Sequence, residues 1–524
     1  MINTKSKGDI FIMKKYNKKL LIKYYPWFLG ILFLLFYAIT TSPLTSNFWG
    51  SDSAFFQMTG KNLNQGLILY KDIFDIKGPY LFFIEYLGYA GRFGSRYGIF
   101  VIELINMFVI LYYLKKCMDL VITSKTDICL ALSLLLFFFW LACTLDGGNL
   151  TEEYALPYSF LGLFLYLKYR KQKVVGKSPW ILGAAFVLSA LGRVTNSAFI
   201  CVLTLDITID LILERNWKTL IKCISQFLLG ALCAFIPFLI YFSWKGVLTE
   251  MIQAAFTFSF SYATEMSLVD RIYSARWTLL AVFLISSCIN IWLWRTDRKK
   301  IRFICLDAFV MLLIMNLGNG YIHYYQMLIP CVLVLFWMWW ENKSSQNNVV
   351  KKGILFLCLI MLLNTVYFIP YSGRVVAALG MNTQPVAQTS FGRIAHKIEQ
   401  LDSFGCGTYG YEAQMYVDDI LDKIPENERC SVYNYETSSQ WLLLSGLKPY
   451  DKYCITADHF SMLSSEIFQH IQELFRRREP SYIVTGSNVQ IQNQTVQAYL
   501  EKDYTELYAN SIYTLYQKNS SNAE

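Results

Sequence analysis

Residues Gly50–Tyr80 read GSDSAFFQMTGKNLNQGLILYKDIFDIKGPY. The stretch holds Asp52, Asp72 and Asp75, then Lys77 and a Gly78-Pro79 turn, and it directly follows an apolar segment from Trp27 to about Pro43. That segment is long enough to be a first membrane crossing, because a spanning helix needs roughly 20 mostly apolar residues. Carboxylates placed just beyond such a crossing sit at a membrane surface, where they suggest chemistry. The quoted stretch itself is too rich in Asn, Gly and charge to span.

The whole chain supports a membrane reading. Of its 524 residues 55% are hydrophobic, 17% aromatic and only 16% charged, and the mean hydropathy is +0.34. Ordinary soluble domains carry roughly 25% charge. The net charge of +9 is not a nucleic-acid signal, since Lys and Arg cluster between apolar segments rather than along one face; such clustering reports topology. Thirteen cysteines show no metal-ligand spacing and mostly lie in apolar runs, where Cys acts as a small hydrophobe. Cys430 and Cys454 form one conceivable pair in an oxidising exterior.

Outward from Gly50–Tyr80, the basic loops order the chain. Residues 1–25 form a Lys-rich cytoplasmic tail, and the first crossing is read as an uncleaved anchor. Residues 45–97 make a first outer loop in which Tyr80–Ala90 is too short to span and fits an interfacial helix. Crossings follow at Gly98–Leu114, Ile128–Leu145 and Tyr154–Leu167. Trp180–Leu213 reads as two short helices with Arg193 at the turn between them. Cys223–Phe242, Trp277–Trp294, Phe303–Leu317, Ile322–Trp340 and Ile354–Pro370 complete the set. The expected fold class is thus an α-helical polytopic membrane protein of about eleven crossings, N-terminus in and C-terminus out, with every basic loop on one side. Residues 371–524 form a small extracytoplasmic α/β domain: Ser464–Arg477 reads as an amphipathic helix, Ser431–Tyr435 and Tyr482–Thr485 as buried strands, and Tyr504–Tyr516 as a hairpin turning near Asn510.

Four polar groups fall on the expected outer face: Asp52 with Asp72 and Asp75; Asp146, Asn149, Glu152 and Glu153; Arg193 with Asn196; and His323-Tyr324-Tyr325. Each also has a plain reading. The aspartates could be solvated loop residues, the Glu152-Glu153 pair could complement a helix N-terminus, Arg193 could meet a lipid headgroup, and His323 sits in an aromatic belt. Together they supply a carboxylate to take a hydroxyl proton and positive groups to stabilise a departing phosphate. Those are the parts needed to move a sugar off a lipid phosphate.

At these residues the chain resembles the GT-C-type membrane glycosyltransferases, the broad set that includes protein O-mannosyltransferases and the aminoarabinose transferase of lipid A. The resemblance rests on Asp52 after the first crossing, a helix ending at Gln65-Gly66, Tyr70-Lys-Asp72, Asp75-Ile-Lys77-Gly78-Pro79, Gly147-Gly-Asn149-Leu-Thr151-Glu152-Glu153, Arg193-Val-Thr-Asn196 and His323-Tyr-Tyr325. It covers residues 26–370 as a GT-C-like catalytic module. It implies a polyprenyl-phosphate-linked sugar as donor, inversion at the anomeric carbon and Asp52 as general base, in a multi-pass protein of the plasma membrane. Many relatives have an acid directly after that aspartate; here Ser53 follows, so the second carboxylate falls to Glu152 or Glu153. Arg193, His323 and Tyr324 are the expected donor-phosphate ligands, and Asp72, Asp75 and Lys77 shape the loop or meet the acceptor. No metal site is assigned, although some relatives use a divalent cation (Mg or Mn). The acceptor class is open among teichoic acid, another surface glycan, a lipid-linked glycan and a protein. The alternative function is a polysaccharide polymerase, flippase or transporter of lipid-linked glycans. Transporters tend to show two related halves and interrupted helices near the midplane; the sequence shows neither a paired set of interrupted segments nor deep charges, apart from Asp206 and Asp210 near the inner end of the sixth expected helix and Asp307 near that of the ninth.

Overall fold

A computed structural model of the protein describes residues 24–45, 51–91, 94–123, 125–259, 267–316, 320–342, 410–487 and 489–519. The basic tail up to residue 23, the expected crossing Ile354–Pro370 and the expected boundary near residue 371 lie outside the described residues.

The chain opens with α1 (Tyr24–Tyr37). It continues through α2 (Ser51–Asn64), α3 (Pro79–Gly88), α4 (Arg96–Val121), α5 (Thr126–Thr144), α6 (Thr151–Gln172) and α7 (Ser178–Ala190). A single 3₁₀ turn (Val194–Ser197) separates α7 from α8 (Ala198–Leu213), so the apolar tract around Arg193 is indeed two short helices. Then come α9 (Trp217–Trp244), α10 (Leu248–Ile252), a π-helical stretch (Gln253–Phe258), α11 (Leu268–Ser274), α12 (Trp277–Leu293) and α13 (Arg298–Met315). A 3₁₀ segment (Ile322–Leu328) leads into α14 (Ile329–Glu341).

This is a multi-pass membrane protein. Among the described residues five helical segments are long and apolar enough to cross a bilayer: Arg96–Val121, Thr126–Thr144, Val194–Leu213, Trp217–Trp244 and Ile322–Glu341. Their burial differs sharply. Of the most apolar window of each, 89% is buried for Ile322–Glu341 but 11% for Trp217–Trp244, so the first is the central post and the second a peripheral helix showing Ile221, Leu228, Leu232 and Ile240 to lipid. The peripheral helix is nonetheless held closely. Gly183 on α7 and Gly230 on α9 each face the other helix's backbone, where a Cβ would collide with the Phe227 or Trp180 carbonyl; small residues at membrane crossings permit this approach.

The bundle core lies between α4, α5, α6, α12, α13 and α14, with Trp140, Phe160 and Trp337 fully enclosed. Polar tips inside it are matched. The Trp337 indole donates to Ser133 Oγ at 2.9 Å, and Trp140 Nε1 donates to the Tyr325 carbonyl at 2.9 Å. The latter bond, with Gln326 Nε2 donating to the Thr144 carbonyl at 3.0 Å, pins the 3₁₀ segment before α14. Irregular backbone at such depth is tolerated only where protein satisfies it.

Residues 410–519 form an α/β unit: α15 (Gly410–Leu421), a 3₁₀ turn (Glu426–Ser431), β1 (Val432–Asn434), α16 (Ser439–Ser445), α17 (Ala457–Leu463), α18 (Ser465–Arg476), β2 (Tyr482–Gly486), α19 (Gln494–Asp503), β3 (Tyr504–Ala509) and β4 (Tyr513–Lys518). The sheet order is β1-β2-β4-β3, parallel between β1 and β2 and antiparallel elsewhere. One face packs on α18 through Ile467, Ile471 and Phe475. The other shares a core with α2 and α3, where Trp441 and Leu442 of α16 meet the cluster of Phe55, Phe82 and Ile73. Cys430 and Cys454 are free thiols, the first exposed at the end of its 3₁₀ turn and the second buried, so the disulfide considered from the sequence is not made.

Candidate functional site

The site is assembled where the loop between α2 and α3 crosses the end of α7. That loop is tightly tied to itself. Tyr70, at φ 67°, donates its N–H to the Ile73 carbonyl at 2.7 Å and its hydroxyl to the Lys77 carbonyl at 2.8 Å. Asp72 Oδ2 accepts the Ile68 N–H at 2.7 Å, and Asp75 Oδ1 accepts the Lys77 N–H at 2.6 Å. The loop is then sewn to the membrane bundle: Gly78 N–H donates to the Gly192 carbonyl and Tyr80 N–H to the Leu191 carbonyl, both at 3.0 Å. A Cβ at position 78 would strike the Leu191 carbonyl. Glycine is required there by the close approach of two backbones, and the approach brings Lys77 and Arg193 into one neighbourhood.

Lys77 Nζ lies 3.6 Å from Asp52 Oδ2 and 4.0 Å from Asp75 Oδ1, and 5.0 Å from the centre of the Phe56 ring. Asp52 is in the first turn of α2 and its side chain is 44% exposed, against 4% for Asp75. Burial pushes the Asp75 carboxyl above its ordinary range, partly offset by the Lys77 charge and N–H. For Lys77 burial alone would lower the ammonium, but the carboxylates of Asp52 and Asp75 outweigh it and the net shift is upward. Lys77 therefore stays charged.

Arg193 Nη1 lies 3.2 Å from Glu152 Oε1, with the Glu152 side chain 1% exposed. The guanidinium lies over the Tyr324 ring, 3.6 Å from its centre, a cation–π stack. His323 meets Tyr324 edge-on at 4.7 Å and stacks on Tyr321 at 5.6 Å; its Nδ1 is 3.4 Å from Asp146 Oδ2. Lys77 also lies within electrostatic reach of Arg193 and Tyr324, and His323 within reach of Glu152 and Asp52. The structure thus brings Asp52, Asp75, Lys77, Glu152, Arg193, His323 and Tyr324 around one space, with four different stretches of chain contributing.

Glu153 and Asp72 make other contacts. Asp72 closes its own turn at Ile68. Glu153 Oε2 accepts the Asn149 N–H at 3.0 Å, the same N–H that Glu103 Oε1 accepts at 2.9 Å. Glu103, in α4 and fully buried, also accepts the Thr41 hydroxyl, and it sits where a Cβ on Gly148 would be. Gly147 and Gly148 have φ of 92° and 86°, so the glycine pair serves a left-handed turn against Glu103. Asn149 Nδ2 donates to Ser53 Oγ at 3.0 Å. The serine next to Asp52 fastens α2 to the Gly147–Asn149 turn. Sequence reasoning missed Glu103, although an ionisable residue inside an expected crossing is itself a signal, and it missed the buried Glu85 of the expected interfacial helix. It also missed the Tyr80–Tyr158 hydroxyl pair, for which the sequence carries none. Among the described residues no three His, Cys, Asp or Glu side chains come together as a cation site.

The arrangement of a large helical membrane bundle with an α/β unit beside it is shared with solved structures. Two crystal structures of ArnT from Cupriavidus metallidurans superpose over nearly the whole molecule: the form bound to undecaprenyl phosphate at TM-score 0.59 and 10% identity, covering 94% of this chain and 98% of that one, and the apo form at TM-score 0.57 and 12% identity, covering 98% and 99%. The Archaeoglobus fulgidus oligosaccharyltransferase in its apo form aligns at TM-score 0.47 and 10% identity over 95% of this chain and 75% of that one. The ArnT superpositions give the chain the fold of a GT-C membrane glycosyltransferase. By sequence it belongs to the family defined by the competence-induced protein Ccs4 N-terminal domain, whose model matches residues 14–363. No curated protein sequence matches it.

Proposed function

We propose that this protein is a membrane glycosyltransferase that moves a sugar from a polyprenyl-phosphate donor to a hydroxyl acceptor at the outer face of the plasma membrane, inverting at the anomeric carbon. Eleven crossings and an extracytoplasmic α/β unit belong to the same proposal. The observation that carries it is the pairing of half-exposed Asp52 with Lys77 at 3.6 Å, beside an arginine held flat between Glu152 and Tyr324. The GT-C fold, and undecaprenyl phosphate bound to ArnT, give the pairing its chemical context.

In this reading the donor phosphate occupies the side of the site bearing Lys77, Arg193 and His323. Four carboxylates (Asp52, Asp75, Asp146 and Glu152) surround those groups, so the phosphate must compete for cations already paired. Lys77 is the group placed to exchange partners: turning from Asp52 to the phosphate would satisfy the incoming anion and leave the Asp52 carboxylate free. Asp52 then takes the acceptor hydroxyl proton as the acceptor oxygen bonds to the anomeric carbon. The bond from that carbon to the phosphate oxygen breaks with its electron pair going to the phosphate, where Arg193 and Lys77 meet the growing charge. Glu152 orients Arg193, whereas Glu153 supports the Asn149 turn from behind. Asp75 holds the Lys77 backbone.

Membranes carrying Asp52→Asn should lose transfer from a radiolabelled polyprenyl-phosphate sugar by at least about a hundredfold, as expected for loss of a positioned base. The variant should still bind undecaprenyl phosphate. Full retained transfer would remove Asp52 from the base role, and a wild-type protein without any transfer would favour carriage of lipid-linked glycans over chemistry.

A further inference from the structure

In the run Ile73-Phe-Asp-Ile-Lys77, Ile73 is fully buried in the core that the α/β unit shares with α2 and α3, and Asp75 and Lys77 line the site. Phe74 and Ile76 pack against the second core of the α/β unit, Phe74 also touching the edge of the first. The run is thus held between the membrane bundle and the α/β unit.

Phe74 makes the ring–ring contacts of this run. Its ring lies 5.1 Å from Tyr453, 5.5 Å from Phe460 and 5.6 Å from Phe258, and Phe258 and Phe460 touch edge-on at 5.6 Å. Three aromatic partners in tilted or edge-on geometry form a socket whose pairs each contribute beyond simple burial. Two hydrogen bonds fix the backbone on either side. Phe74 N–H donates to the Lys452 carbonyl at 2.9 Å, and the Ser259 hydroxyl donates to the Ile76 carbonyl. Lys452, Tyr453 and Phe460 come from the α/β unit, Phe258 and Ser259 from the segment after α9. Three residues beyond Phe74 stands Lys77, whose own N–H is held by Asp75.

We propose that Phe74 is a positioning residue, the plug through which the α/β unit fixes the Ile73–Gly78 loop and so keeps Lys77 against Asp52. The α/β unit is then a working part of the site rather than an appended module. The consequence for donor binding rests on the glycosyl-transfer reading; the mechanical coupling does not.

The test removes the socket from the other side. In full-length protein in lipid nanodiscs, Phe460→Leu leaves every loop residue unchanged yet takes away one wall of the socket. Hydrogen exchange of peptides covering residues 68–80 should then speed up roughly three- to tenfold, the loss expected for one or two aromatic pairs, with α4 and α5 unaffected. Phe74→Leu should do the same, and the double variant should add little to either single one. Undecaprenyl phosphate affinity should fall in step with loop exchange while the unfolding temperature of the bundle holds. Unchanged loop exchange in Phe460→Leu, or acceleration spread evenly over the chain, overturns the proposal. If wild-type protein does not bind undecaprenyl phosphate at all, the transfer reading fails, and the exchange measurements still decide the coupling.

Discussion

At the scale of the residue, Arg193 is one side chain with two separable roles to test, a structural one and, in the proposed transfer, one at the donor phosphate. The sequence singled it out because an arginine between two short apolar helices is costly without a partner. The structure supplies two, Glu152 at 3.2 Å and the Tyr324 ring at 3.6 Å, and the second could not be read from the chain because 131 positions separate them. Truncating one member of a hydrogen-bonded, largely buried charge pair typically costs about 2–5 kcal/mol, much of it from stranding the other charge. Arg193→Ala should therefore lower thermal stability substantially, and Arg193→Ala combined with Glu152→Gln should recover most of that loss, because the buried partner is then neutral. Donor binding should not recover in the double variant, since no guanidinium remains to meet the phosphate. Thermal unfolding and undecaprenyl phosphate binding on wild type, Arg193→Ala, Glu152→Gln and the double variant separate the two roles. Recovery of both together would make Arg193 purely structural. Arg193→Lys is not a mild replacement here, because an ammonium cannot lie flat on a tyrosine while holding a carboxylate.

At the scale of the element, Gly50–Tyr80 was legible as a polar stretch after the first apolar segment, and Asp52 of α2 does meet Asp75 and Lys77 of the α2–α3 connection. Its order was not legible. A polar loop gains its shape from specific backbone partners, and those lie on α7 and in the α/β unit, far along the chain. The Gly78-Pro79 pair reads from sequence as a turn, whereas its physical requirement is the crossing over the Leu191 and Gly192 carbonyls. Gly78→Ala tests that. The new methyl must push two backbones apart, a strain of about 1–3 kcal/mol by analogy with overpacked cores, and the displacement falls directly on Lys77. Transfer should drop at least about tenfold with the protein still assembled in the membrane, since one such strain is small against the stability of the whole bundle. Pro79→Ala, which leaves the crossing open, should retain most activity. Equal loss in both variants would mean that the turn, not the close approach, matters.

At the scale of the whole molecule, apolar segments and basic loops were enough to locate the helices: the expected Gly98–Leu114 and Ile128–Leu145 correspond to α4 and α5, and the Trp180–Leu213 tract divides at Arg193. Pairing between helices is set by side-chain fit that leaves no sequence period, which is why the charged aspartates of α8 stood unexplained. Asp206 and Asp210, 0% and 1% exposed, face Arg170 of α6 and Arg302 of α13: Arg302 Nε to Asp206 Oδ1, Arg302 Nη2 to Asp210 Oδ1 and Arg170 Nη1 to Asp210 Oδ2 are each 2.7 Å. Lys173 joins at 3.0 Å, and the Tyr166 hydroxyl donates to Asp206 at 2.7 Å. This network clasps α6, α8 and α13 at the end of α6 opposite Glu152. Eighteen residues of helix separate Glu152 from Arg170, which at 1.5 Å per residue is roughly 27 Å. The clasp is too distant to touch the groups around Asp52 and Lys77; it holds the opposite end of the helix that carries Glu152. Arg302→Met leaves two buried carboxylates sharing fewer cations, and breaking a buried pair costs about 3–5 kcal/mol. The unfolding temperature should fall accordingly, while transfer per folded molecule, measured well below that temperature, stays within about twofold of wild type, because α6 is also held by its contacts with α4 and α7. A large fall in turnover with little change in unfolding would show instead that the clasp steers Glu152 through the length of α6.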